Sequence, residues 1–180
     1  RQCGENYSFD YRRLRERIEA DGAIWRAYYL NSTPNPPTDQ QDAFHTWLRS
    51  APPSGPKIIT KLYQLKRQSV DRAFCETCNA LVEVRCAATR QLSTPHSLHK
   101  EVQKGVDVGV ATLALVHIAE YDTLILSSGD GDLLDAVEHV ITHKKNFELA
   151  VFAGNTVSTE LQSRADRIYW INEFAGEVRR

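Results

Sequence analysis

The segment Leu124-Ile125-Leu126-Ser127-Ser128-Gly129-Asp130-Gly131-Asp132 does most to limit what this chain can fold into. Its apolar and small residues read as a buried strand, and the chain then turns at Gly129. Leu133, Leu134, Val137, Val140 and Ile141 follow at the three- and four-residue spacings of a helix. A strand feeding at once into a helix is the building unit of an open α/β sheet, whose ligands sit beyond the carboxyl ends of the strands. Asp130 and Asp132 stand at such an end, flanked by glycines. Oxygen ligands of this kind suit a hard cation, Mg²⁺ or Mn²⁺. A single Asp between strand and helix also serves as an N-cap for the orphan amides of the first turn. Two acids at i and i+2 exceed what capping requires, yet both readings stay open on this segment alone.

The remaining elements extend the same alternation. Helices are predicted over 11–20, 38–48, 106–119, 132–143 and 157–164, and strands over 23–30, 57–65, 123–128, 147–152 and 167–171. The helix over 106–119 is almost wholly apolar and is expected to be buried on most sides. Residues 66–103 carry no legible period, and irregular segments of that length are usually functional or mobile. The order predicts a mainly parallel sheet with helices on both faces, in a single domain of 180 residues.

Bulk composition excludes little. A net charge of −1 gives no overall attraction to nucleic acid or to a membrane surface, so any basic surface must be local. No apolar run approaches the about 20 residues that span a bilayer. Four cysteines without a secretory segment give a reduced, cytoplasmic protein as the expectation.

Asp107 is the third acid of interest. It opens the apolar helix after Lys104-Gly105-Val106, where the helix dipole alone would favour a carboxylate. If that helix start is buried, an unpaired charge there costs several kcal/mol and calls for a cation or donors. Asp166, within Arg164-Ala165-Asp166-Arg167, is better explained by an ion pair with its arginine neighbours.

The combination Lys104-Gly105-Val106-Asp107, Tyr121-Asp122-Thr123 and Ser128-Gly129-Asp130-Gly131-Asp132 resembles the NYN domain (LabA-like) branch of the PIN-like nucleases. Ser158-x-x-Leu161-x-x-x-x-Asp166 and Asp10-Tyr11-Arg12-Arg13-Leu14 match further parts of its pattern. The resemblance implies a PIN-like three-layer α/β/α sandwich with a mainly parallel central sheet. It also implies hydrolysis of RNA, single-stranded or structured, with Mg²⁺ or Mn²⁺. Asp107, Asp130 and Asp132 would then be catalytic metal ligands, Asp166 a further member, and Lys104, Ser128 and Asn6 substrate contacts.

The family pattern begins with an apolar central strand ending in Asp-Gly-x-Asn. This chain opens Arg1-Gln2-Cys3-Gly4-Glu5-Asn6, so that strand and its Asp are expected upstream of residue 1; otherwise Cys3 replaces the acid. A replaced acid would favour a degenerate PIN-like module that binds RNA or protein without cutting. An enzyme acting on another phosphate ester is a third reading, to be marked by a small closed pocket.

Cys75, Cys78, Cys86 and His96, with His99 nearby, are ligands enough for a tetrahedral Zn²⁺, although the spacing is irregular. Reduced cysteines on a polar loop are the alternative. Lys57, Lys61, Lys66, Arg67, Arg72, Arg85, Arg90 and Lys100 gather in the same third of the chain. With Tyr63 and Phe74 they form either a nucleic-acid surface or an ordinary solvated face. A homo-oligomer is compatible with all of these readings.

Overall fold

The computed structural model describes residues 8–87, 96–154 and 156–180. Asp10 accepts the amides of Arg12 and Arg13 through its carboxylate and so starts α1 (Tyr11–Glu19). The first strand, β1 (Tyr28–Thr33), begins later than the aromatic run at 23–30 predicts. Its ladder with β2 (Ile59–Gln64) opens only at Tyr28↔Ile59, while the Arg26 guanidinium covers the Trp25 ring at 4.2 Å on the surface. Between these strands lies α2 (Asp39–Arg49), opened by a reciprocal capping box of Thr38 and Gln41.

The illegible segment 66–103 contains two small antiparallel ladders. β3 (Lys66–Ser69) pairs with β6 (His99–Val102), and β4 (Arg72–Cys75) pairs with β5 (Ala80–Glu83). The chain then runs through α3 (Val106–Val116), β7 (Thr123–Leu126), a 3-10 turn at Gly131–Leu133, α4 (Leu134–Thr142), β8 (Asn146–Val151), α5 (Thr159–Arg164) and β9 (Arg167–Trp170). Strands β7, β8 and β9 are mutually parallel, as are β1 and β2. The mixed α/β class therefore agrees with the sequence. Among the described residues the parallel strands form two sheets, β1-β2 and β7-β8-β9, rather than one.

Strand β8 supplies the core of the larger sheet by simple alternation. Phe147, Leu149 and Val151 pack with Leu126, Val137 and Leu161, whereas Ala150 packs with Ile18, Tyr169, Phe174 and Val178. Helix α3 is less buried than its composition suggests. Val108 and Val116 remain 71% and 68% exposed, because only the side carrying Val106, Gly109 and Ala114 is buried. Gly109 allows that contact: a Cβ there would overlap the Tyr63 hydroxyl and lie 3.0 Å from Leu30 Cδ2.

Between the two parallel sheets is a cavity of about 1160 Å³, lined by Tyr28 and Leu30 of β1, Ile125 and Leu126 of β7, and Phe9 and Val110. Each of β1 and β7 has one strand partner among the described residues.

His45 of α2 is buried beside Tyr29 and Phe44. Burial holds its imidazole below the ordinary value of 6.5, Arg49 adds to this, and Asp42 opposes it. The unfolded chain thus binds a proton more readily than the folded one, so stability is lost as pH falls from about 6.5 through the depressed value. Urea titrations at pH 5.5 and 7.5 should show a smaller loss on acidification for His45→Gln than for the parent chain. An equal loss in both would remove His45 from the acid response.

Candidate functional site

The site is set by which ends of the elements coincide. Helix α3 precedes β7, so its first turn returns to the end at which β7 finishes. A Cβ on Gly105, just before α3, would touch the Tyr63 ring at 3.4 Å, which puts the end of β2 beside the same turn. Helix α3 also packs against the 3-10 turn Gly131–Leu133. Asp107 is thereby placed at the same end of the molecule as Asp130 and Asp132.

The Gly129–Asp132 loop is held by short-range bonds and one close approach. Asp130 N donates to Ser128 Oγ at 3.3 Å, and Asp130 Oδ1 accepts Asp132 N at 3.1 Å. Asp130 therefore does act as a cap, in keeping with the bland reading of that residue. Gly129 O accepts Ser158 N at 2.9 Å, and a Cβ on Gly129 would stand 2.8 Å from Thr156 O and Val157 Cα. Two loops are pressed together there, and only a glycine fits. They enclose an open cleft of about 510 Å³ lined by Gly129–Gly131 and Thr156–Glu160.

Asp107, Asp130, Asp132 and Lys104 are all exposed. The desolvation argument for a cation at Asp107 accordingly does not hold, because water already solvates that carboxylate. Carboxylate oxygens match the chemistry of a hard divalent ion. Among the described residues, however, no three His, Cys, Asp or Glu side chains close on one point. Asn6 and Cys3 lie outside the described residues.

Asp166 lies elsewhere. Its Oδ2 accepts Phe147 N at 2.8 Å and its own amide donates to Phe147 O at 2.8 Å, which ties the start of β9 to the start of β8. That is the opposite end of the strands from Asp130. The expected ion pair with its neighbours is also replaced, since Arg164 pairs with Glu138 and Arg167 with Asp21.

The four zinc candidates are divided between two ends of one hairpin. Cys75 and Cys78 occupy the β4–β5 turn, whereas Cys86 follows Glu83, the residue paired with Arg72 at the open end. Val84 N donates to Asp71 O, which prolongs the ladder in that direction, and Leu98 O accepts Val70 N, which puts His96 near the same base. Three paired residues span about 10 Å, whereas sulfurs sharing one zinc stand about 4 Å apart. The set Cys75, Cys78, Cys86 and His96 is not brought together.

Two features escaped the sequence reading. Glu160 lines the same cleft as Asp130, and the Ser158 hydroxyl, which donates to Glu160 Oε2 at 2.7 Å, holds its carboxyl below the usual range. Its place two residues after Ser158, in the first turn of α5, was the available signal. Ser32 Oγ and Thr33 Oγ1, at the carboxyl end of β1, are buried without a hydrogen-bond partner among the described residues. Nothing in their local pattern announced this.

The basic residues are partly neutralised. Arg85 pairs with Glu83 at 2.7 Å, and Arg67 faces Glu101 across the β3–β6 ladder. Lys66 and Lys100 belong to the same ladder, which rises from the end of β2 and leads back to Lys104. A basic stem thus stands beside the acid-bearing end.

The NYN domain family model matches residues 1–172. A crystal structure of a protein of unknown function from Vibrio parahaemolyticus superposes with a TM-score of 0.62 at 20% identity, covering 99% of this chain and 86% of that one. A search of curated proteins found no match.

Replacing Gly129 by Ala should cost about 1–3 kcal/mol in urea unfolding, because the obstructing atoms are backbone. Gly131→Ala should cost less, since its Cβ would meet only Ser158, at 3.4 Å. Equal costs would remove the argument from the loop contact.

Proposed function

Because the chain belongs to the NYN domain family, we propose that it is a metal-dependent ribonuclease that hydrolyses RNA phosphodiester bonds at Asp107, Asp130 and Asp132. The observation that carries this reading is the packing of α3, which Asp107 opens, on the 3-10 turn Gly131–Leu133 that follows the carboxyl end of β7. A bound Mg²⁺ or Mn²⁺ would polarise the phosphoryl group and make hydroxide available near neutral pH. Asp107 and Asp132 would hold it. Asp130 would contribute its second oxygen, the first being used on the Asp132 amide. Glu160 is a further acid within the same cleft.

Lys104, Ser128 and Asn6 would contact the substrate. Lys104 is exposed on the approach to Asp107, where a cation favours a phosphate. Lys66 and Lys100 on the adjoining stem would guide a strand of RNA toward the acids. The open form of the cleft favours a polynucleotide over a small phosphate ester. The main alternative is a degenerate module that binds RNA without cutting it.

The three-layer α/β/α arrangement belongs to the same proposal. The 1160 Å³ cavity lies between edges of β1 and β7 that are unpaired among the described residues, and its walls carry apolar side chains from both. A strand running parallel to both would satisfy the two edges, fill the cavity and join the two sheets into one. Phe9 lies against Phe152, just past the end of β8, at the carboxyl end of the strands. We therefore assign the cavity to the strand expected upstream of residue 1.

The decisive assay is cleavage of a labelled single-stranded RNA with Mn²⁺ or Mg²⁺. Activity should vanish with EDTA and fall about 10²-fold or more in Asp130→Asn and Asp107→Asn. RNA binding without cleavage in the parent chain would instead establish the degenerate module. Extending the chain upstream by an apolar strand should raise the melting temperature by at least about 4 °C, the shift that about 1 kcal/mol produces in a small domain. An unchanged value would leave the cavity to another occupant.

A further inference from the structure

The β4–β5 hairpin has no core of its own. Phe74 faces Leu81 on one side and Ala73 faces Val82 on the other, and all four are exposed, Phe74 by 58% and Leu81 by 66%. The two strands make their principal contacts with each other. An isolated two-stranded hairpin is marginally stable in water, and apolar side chains on both its faces call for a covering surface.

The tip is built differently from the stem. Cys75 is the last residue of β4, Cys78 lies three residues on in the turn, and Asn79 closes the turn with φ of +50°. The backbone amides of Cys78 and Thr77 are directed at the Cys75 sulfur, and the Cys78 thiol lies beside it. Two adjacent sulfurs on one tight turn, with amides aimed at one of them, form half of a tetrahedral thiolate site. Among the described residues the other half is not supplied at this place, because Cys86 and His96 belong to the hairpin base.

We propose that the Cys75–Cys78 turn binds Zn²⁺ jointly with the same turn of a second copy of this chain, giving a Cys₄ site on a two-fold axis. A half-site is completed by its own copy with no further partner, since a two-fold axis presents the identical pair from the other side. Each zinc takes four thiolates, two per chain, and the four thiol protons pass to the solvent. The apolar side chains near the tips of both hairpins are covered in the same contact. The hairpin tip shares no residue with the acid-bearing end, so the proposal stands apart from the nuclease reading.

The test uses the full chain, freed of metal and reduced, titrated with ZnCl₂ while mass is followed by light scattering and bound metal by elemental analysis. One zinc per two chains is expected, with mass doubling as the metal is added and reverting with a chelator. Cys75→Ser and Cys78→Ser should each abolish both metal retention and dimer formation, whereas Cys86→Ser should change neither. A monomer holding one zinc overturns the shared site. So does a dimer that forms without zinc, and so does a chain that retains no zinc or closes a Cys75–Cys78 disulfide in its place.

Discussion

Everything at the acid-bearing end depends on how closely α3 lies against β1 and β2. The approach is possible because residue 109 has no side chain: the Tyr63 hydroxyl and Leu30 occupy the space a Cβ would need. Helix α3 also packs on α4 and on the 3-10 turn, so it touches both parallel sheets. Those sheets share no strand pairing among the described residues. The helix is consequently the principal bridge between them, and Asp107 stands in its first turn.

Much of this arrangement was legible in the sequence, because it follows from local rules. The strand-turn-helix at Leu124–Ile141 depends on periodicity and a glycine turn, and α2 on a capping box. Segment 66–103 was illegible for a physical reason. Its ladders are four residues long and exposed along nearly their whole length, so no alternation of apolar and polar residues marks them. The start of β1 was also misplaced: Ile24 and Trp25 satisfy a strand propensity, but a strand exists only where a partner ladder does.

Family membership sets the general class of activity, while the particular site residues rest on placement. The case for Asp107 illustrates the difference. A buried, unpaired carboxylate would have required a cation on energetic grounds alone. Its actual exposure removes that demand, and the argument passes to geometry, namely the shared end of α3, β2 and β7. An exposed acid can wait for a metal at little cost. Glu160, brought to the cleft by the contact between Gly129 and the Thr156–Val157 backbone, adds charge beside Asp130.

Asp166 shows why position along a strand decides what an acid does. In a parallel sheet the carboxyl ends of the strands expose backbone carbonyls and lead into loops, whereas the amino ends expose unpaired amides. Asp166 sits at an amino end and spends an oxygen on the Phe147 amide, which the ladder itself leaves unsatisfied there. Asp130 also bonds an amide, but it does so beyond a carboxyl end, beside a cleft open to ligands, and keeps its other oxygen available. The same side chain is thus a strand fastener at one end of the sheet and a candidate ligand at the other. Sequence order already separates the two ends, because Asp166 precedes its strand and Asp130 follows its own; what the order could not give is the partner, for Asp166 fastens Phe147 of the neighbouring strand and not the arginines beside it in sequence.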